Sequence, residues 1–337
     1  MNIASNFWGK FLKNKRNKYS LLIFITLFSL SLFAEILSND KPIILKIDDK
    51  IYFPIIVSYT DKEFGGYFDT EADYKDEFIT SRLKEESNWA IFPINPHSYD
   101  SINISHSTPN PARPSIHNYL GTDDRGRDVL ARLIYGFRLS VLFAFALTAI
   151  GIIIGIFFGA IQGYFAGRVD LYMQRFIEIW SSMPELYILI IFSSLFEPSI
   201  FLLVVLLSLF GWMSLSDYVR AEFLRGRNME YVIAARTLGL SNTKIILKHI
   251  LPNSMVSVIT FLPFRISGAI LILTSLDFLG LGVPPDTPSL GELLAQGKEN
   301  IEAWWLSLST FFVLVGTLLL LIFIGEGIRE SLDSRSS

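Results

Sequence analysis

The chain has 337 residues, 51% of them hydrophobic and 18% charged, with a mean hydropathy of +0.42. Soluble globular domains carry about a quarter charged residues, so an ordinary soluble fold is excluded and a polytopic membrane protein is indicated. Cysteine is absent, which excludes disulfides and cysteine-ligated metal, and the net charge of −3 says little until its distribution along the chain is followed.

Residues 1–18 form a basic arm with Lys10, Lys13, Lys15, Arg16 and Lys18 and no acid. The apolar run 19–37 that follows is the first expected span. A secretory leader is the alternative, disfavoured because no small-residue cleavage site follows Ala34. Residues 38–119 then form a long polar insert. Its stretches Lys41–Lys46, Ile51–Ser58 and Trp89–Ile94 suggest strands, and Asp76–Glu86 suggests a short helix. The aromatics Tyr52, Phe53, Tyr59, Phe64, Tyr67, Phe68, Trp89 and Phe92 serve either as the insert's own core or as a peptide-contact surface. His97, His106 and His117 are irregularly spaced, which fits locally hydrogen-bonded histidines better than a metal site; no metal is expected.

Residues 120–138 read LGTDDRGRDVLARLIYGFR. Thr122 or Asp123 is placed to cap a helix whose apolar face carries Val129, Leu130, Leu133 and Ile134. Arg125, Asp128 and Arg132 take the other face, and Arg138 the membrane edge. An interfacial helix is expected here before the chain turns into the bilayer.

The core, 139–330, holds the other spans. Span two, about Leu139–Tyr164, carries Gly151, Gly155, Gly159 and Gly163, a stripe suited to close helix packing. Segment three, Asp170–Phe196, is broken at Ser181-Ser182-Met183-Pro184. Spans four to six fall near Ile200–Leu215, Ser254–Leu276 and Leu306–Gly325, and 331–337 is a tail. Arg168, Arg175, Arg220, Arg225, Arg227, Arg236, Lys244 and Lys248 lie in loops on the side of the basic arm. Ser38–Asp124 carries 15 Asp/Glu against 8 Lys/Arg. The positive-inside rule then puts both termini in the cytoplasm.

Ionisable groups at membrane depth are costly unless paired or wet. Arg265 is expected about 18 Å along the fifth span, two residues after Pro263. It pairs with an acid on this chain or on a partner chain, such as Glu178 or Asp277 here, or it meets substrate carboxylates on a translocation path. Glu178 and Glu185 bracket the Met183-Pro184 break and are candidates for the same path. Glu326, with Arg329 nearby, reads as an interfacial pair.

The loop 220–253 contains YVIAARTLGLSNTKIILKHILPN. Gly239 suits a left-handed turn ending one short helix. Ser241 is placed to cap a second, running to His249 and closed by Pro252. No GxxxxGK phosphate loop, nucleophile–base pair or metal-ligand spacing occurs, so catalysis by this chain is not expected.

Two of these stretches carry a resemblance. Ala234, Ala235, Gly239, Leu251 and Pro252 match the EAA loop of ABC-importer permeases, the element that docks into the ATPase; Ile233 stands in place of its glutamate and His249 in place of its isoleucine. Gly121, Thr122, Asp123, Gly126, Arg127, Asp128, Arg132, Gly136 and Arg138 match the signature LGTDxxGRDxLxRLIYGxRxS of the dipeptide/oligopeptide permease family. The large insert and FGWMSL at Phe210–Leu215 are similar to the second permease of Yej-type importers of oligopeptides and microcin C. The resemblance implies an all-α type I permease of six transmembrane helices with a small α+β periplasmic insert, in a bacterial inner membrane. It also implies ATPase contacts at Ala234, Ala235, Gly239, Leu240, His249, Leu251 and Pro252. The implied partners are a second homologous permease, ABC ATPase subunits carrying ATP and Mg, a periplasmic peptide-binding protein and a peptide substrate, with no nucleic acid and no cofactor on this chain. The readings left beside it are an ion-coupled carrier with a relay of Arg265, Glu178 and Asp277, and a non-transporting receptor or scaffold.

Overall fold

A computed structural model describes residues 3–85, 87–102 and 109–332. In chain order, α1 (Ile3–Lys13), α2 (Lys15–Leu32) and α3 (Ala34–Leu37) precede the insert. The insert holds β1 (Ile44–Ile47), β2 (Lys50–Tyr52), α4 (Glu77–Arg82) and β3 (Trp89–Ile91). Then come α5 (Val129–Phe165), α6 (Gly167–Ser181), α7 (Glu185–Leu195), α8 (Ile200–Gly211) and α9 (Met213–Gly226). The last are α10 (Glu230–Thr237), α11 (Asn242–Ile245), α12 (Leu251–Phe278), α13 (Leu290–Glu299) and α14 (Trp304–Leu332). Among the described residues, Val129–Phe165, Ile200–Gly226, Asn242–Phe278 and Trp304–Leu332 are long and apolar enough to cross a membrane. The pair α6 and α7, bent by 62° at its break, makes a fifth span if taken as one. The first expected span falls on α2 and α3, parted at Phe33. The apolar part of α2, Tyr19–Leu32, is about 21 Å long and too short for a ~30 Å core by itself.

The described residues divide into two units. The first takes those up to Phe24, Ser140–Pro284 and those from Val315 on. Its core joins Ala160 and Tyr164 of α5 to Leu215, Val219 and Phe223 of α9, and to Val232, Ala235, Ile245, Ile250 and Val258. The glycine stripe explains how α5 and α9 meet. A Cβ on Gly159 would sit 2.5 Å from the Ser216 carbonyl, and one on Gly163 2.5 Å from that of Arg220. Backbones this close leave no room for a side chain, and dispersion then supplies the attraction that lipid does not. Arg220 also clamps Asp170 through two bonds of 2.5 and 2.7 Å. Glu326 takes Arg16 at 2.9 Å rather than Arg329, and Arg16 also lies over the Phe323 ring.

The second unit takes Ile25–Leu139 and Pro285–Leu314. Its strands form an antiparallel sheet in the order β2-β1-β3, with Leu45 opposite Tyr52 on one side and Ala90 on the other. Asp48 and Asp49, both at positive φ, make the two-residue hairpin turn, the geometry that matches strand twist. β2 is shorter than expected because Pro54 cannot donate to the ladder, and the chain turns there, Ile56 N–H donating to the Phe53 carbonyl. Asp76 caps α4. Leu45, Ile47, Phe64, Ala72, Tyr74 and Ile79 form the core, with Tyr52, Tyr59 and Phe92 packed against it. Phe53, Tyr67, Phe68 and Trp89 remain exposed, Tyr67 at 89%, so only part of the aromatic set serves as the insert's core.

No separate interfacial helix spans 120–138. Residues 120–128 are loop and turn, and α5 starts at Val129 and runs unbroken through the second span. The cap is Asp128, which accepts from the Ala131 amide at 2.8 Å; Thr122 and Asp123 are engaged elsewhere. Arg132 does not lie on a polar face: it is the largest fully buried side chain.

Candidate functional site

The helix pair between α9 and α12 begins with α10, whose carboxyl end is a Schellman turn. Gly239 N–H donates to the Arg236 carbonyl at 3.0 Å, and Leu240 N–H to that of Ala235 at 3.2 Å. Gly239 sits at φ 77°, where a Cβ would be strained, and nothing lies within 4 Å of where that Cβ would be. Ser241 occupies the next cap position, but its hydroxyl makes no capping bond. Asn242 accepts instead from the Tyr164 hydroxyl at 2.7 Å, and Arg236 lies 5.6 Å above the same ring. The turn is thereby tied to the end of α5.

Pro252 does not close the second helix. α11 passes into a π-helical turn, Ile246–Ile250, and then straight into α12. Proline lacks the N–H of a regular α-turn and crowds the carbonyl four residues back; a wider turn just before it absorbs both defects. The second short helix and the fifth span are therefore one continuous helical rod, Asn242–Phe278.

On the outward surface Ile233, Ala234, Leu238 and Gly239 are exposed, Leu238 at 79%, beside the exposed polar Arg236 and Thr237. Ala235 points inward, Leu240 and Leu251 pack against the core, His249 is half-buried and Pro252 exposed. Sequence reasoning missed Leu238. Its signal is the turn itself, because the side chain just before a left-handed glycine is thrown clear of the helix.

In the second unit the signature residues build a buried charged knot. Asp123, fully buried, accepts from the Arg125 and Arg127 amides at 3.0 and 2.8 Å and from Arg127 Nε at 2.7 Å. Arg127 reaches Glu292 of α13 at 3.0 Å. Burial opposes its charge, but Asp123 and Glu292 outweigh burial and hold its pKa above the ordinary value. Arg132 also pairs with Glu292, and donates to the carbonyls of Thr287 and Tyr99 at 3.0 and 3.2 Å. Asp128 accepts from Asn95 and Asn118, each at 2.8 Å. Thr122 receives the Ala112 amide on its hydroxyl and Trp305 Nε1 on its carbonyl. Gly121 and Gly126 sit at positive φ in the flanking turns, Gly136 lets Leu290 approach, and Arg138 takes Glu35 at 2.9 Å. Glu292, Asn95, Asn118 and Trp305 were not anticipated; the only hint was two signature arginines facing one signature acid in the knot.

His97 bonds the His117 carbonyl at 2.9 Å and lies 3.3 Å from Lys75 Nζ, so both ring nitrogens face protein partners. Burial and Lys75 push its pKa down. His106 lies outside the described residues.

The membrane-depth charges do not assemble as expected. Arg265 pairs with neither acid. It donates to the Gly211 carbonyl at 2.6 Å and the Ser214 hydroxyl at 3.2 Å, and its Nε has no partner. Glu178 pairs with Arg175 at 2.6 Å, and Asp277 accepts from the Val283 amide at 2.8 Å. Among the described residues these three groups do not pair with one another. Glu185 opens α7 on the wall of a cavity at the span-three break.

Comparisons with known proteins agree with this geometry. Residues 151–337 match the family described as "Binding-protein-dependent transport system inner membrane component". The chain is 48% identical over 326 residues to the inner membrane ABC transporter permease protein YejE of Escherichia coli K12, covering 97% of this chain and 95% of that one. It is 47% identical to the peptidoglycan transport system permease protein YejE of Agrobacterium fabrum, covering 98% and 92%. Against the oligopeptide transport system permease protein OppC of Haemophilus influenzae the identity is 37%, covering 71% and 77%. Among solved structures, an inward-facing form of the MetNI methionine ABC transporter aligns with TM-score 0.52 at 15% identity, covering 60% of this chain and 97% of that one; at that identity the likeness is one of fold. The full-length relatives and the matched core together place this chain in the family of binding-protein-dependent transport system inner membrane components.

Proposed function

We propose that this chain is one of two homologous permease subunits of an ATP-driven importer of oligopeptides, peptide antibiotics such as microcin C among them. ABC ATPase subunits holding ATP and Mg sit on its cytoplasmic face, a peptide-binding protein delivers cargo from the periplasm, and both termini are cytoplasmic. Support for the cargo class comes from the relatives, which include oligopeptide and peptidoglycan transport permeases. The observation that carries the mechanism is the exposed turn at Leu238 and Gly239 joined to the unbroken rod Asn242–Phe278. A push from the ATPases on that turn enters the fifth span with no flexible loop between, and so biases alternating access. The ATP-bound ATPase must favour one permease state over the other for this to do work.

The chain has no cysteine, so a single Leu238→Cys background is clean. In membranes holding the whole importer, crosslinking from that position to cysteines on the ATPase is expected to change yield between nucleotide-free and ATP-bound states, alongside uptake of labelled oligopeptide. A folded, membrane-inserted variant that gives no crosslink to any ATPase overturns the coupling assignment, and absence of peptide uptake by the intact importer overturns the cargo.

A further inference from the structure

Within the first unit a cavity of about 390 Å³ opens where the third span breaks. Its wall is largely apolar, with Leu147, Leu207, Phe210 and Ile272 among the lining residues, and Glu185 is its one carboxylate. Glu185 is half-buried and makes no hydrogen bond or ion pair with any described residue. It opens the first turn of α7 after Pro184, where unpaired backbone N–H groups favour a charged carboxylate. Gly211, on the same wall, gives its carbonyl to Arg265, whose guanidinium likewise has no acid partner among the described residues.

One acid and one base of the spanning segments thus have no ionic partner among the described residues. That arrangement is costly when permanent and useful when a passing ligand supplies the missing charges. A ligand with a free ammonium and a free carboxylate answers both needs. We propose that Glu185 is the ammonium subsite of the translocation path, taking the –NH₃⁺ of a peptide while the apolar wall accepts the adjoining side chain. This rests on the peptide-import reading above. The ammonium comes either from the peptide's amino terminus or from a lysine side chain, and the two are separable.

The test uses the complete importer in proteoliposomes with Met183→Cys, a thiol placed on the cavity wall, and follows its labelling by a maleimide. Saturating free tripeptide is expected to slow labelling about fivefold or more by occupancy. An N-acetylated tripeptide without lysine should not protect, and an N-acetylated tripeptide containing lysine should protect only if the side-chain ammonium serves. Adding Glu185→Gln should remove protection by every peptide, whereas Glu185→Asp should retain part of it. Equal protection by the free tripeptide and the lysine-free N-acetylated tripeptide, or unchanged protection in Glu185→Gln, overturns the assignment. So does failure of Glu185→Gln to co-purify with the second permease, which would mean that Glu185 pairs with that chain. If no peptide protects while the importer still transports peptide, the subsite is wrong and the function stands; if no peptide is transported, the function itself falls.

Discussion

The turn around Gly239 and the knot around Asp123 both bear family-motif residues, yet they are built in opposite ways. At Gly239 the motif residues leave open space and turn Leu238 outward. At Asp123 the signature charges Asp123, Arg127, Asp128 and Arg132 are turned inward: Asp123 and Arg132 are each 0% exposed and lie 3.8 Å apart, and Arg132 pairs with Glu292. The first region leaves its side chains open to solvent, where the proposed function sets a partner, whereas the second joins most of its charges to one another within its own unit. Residue type alone does not separate a docking motif from a structural one; the direction of the side chains does.

The sharpest way to break the comparison is Gly239→Pro. Proline is held near φ −65° against the 77° found here, so uptake should be abolished while membrane insertion, read by fractionation, is retained. Full uptake would remove the turn from the coupling path. Next in size is Arg132→Leu, which removes one of the two arginines holding Glu292 and leaves Arg127 alone on it. Loss of one partner of a buried pair costs about 3–5 kcal/mol, so thermal unfolding should shift strongly, with uptake falling only as folded protein is lost. A drop in uptake without loss of stability would show that the knot also takes part in transport.

Gly159→Ala sets a methyl group against the Ser216 carbonyl. A destabilisation of about 1–3 kcal/mol is expected from overpacking, measured as earlier thermal unfolding in detergent, and an unchanged midpoint would mean that α5 and α9 separate easily. The smallest effect concerns pH. His97 has a lowered pKa in the fold through burial and Lys75, against about 6.5 when unfolded. The unfolded chain therefore binds the proton first as pH falls. The contribution from neutral His97 is complete above 6.5 and is lost progressively below it. His97→Gln should flatten the decline in stability between pH 7 and 5, and an identical decline in both proteins would assign it to other groups.

Much of this was legible in the chain. Apolar runs located the four long spans, the Met183-Pro184 break located the bend, and the four-residue glycine spacing marked the face on which α5 packs closely, because each depends on neighbours one or two helical turns away. Gly239 likewise announced its own left-handed turn. Other features depend on partners that local pattern cannot name. Arg132 read as a polar-face residue because Glu292 lies 160 positions away, and the interfacial helix dissolved into α5 because Asp128, not Thr122 or Asp123, meets the first free amides. Arg265 was assigned an acid by chemical necessity, whereas the fold gives it the Gly211 carbonyl.

The sequence by itself determined a membrane protein with a small ordered insert and a glycine-centred helix pair, since hydropathy and backbone preference act over short stretches. Only the tertiary structure decided that Pro252 sits inside a continuous rod, that Leu238 faces out while Leu240 packs in, and which charges are paired and which left open. Those outcomes turn on distances between residues far apart in the chain, and burial makes a paired charge a fastening and an unpaired one a site.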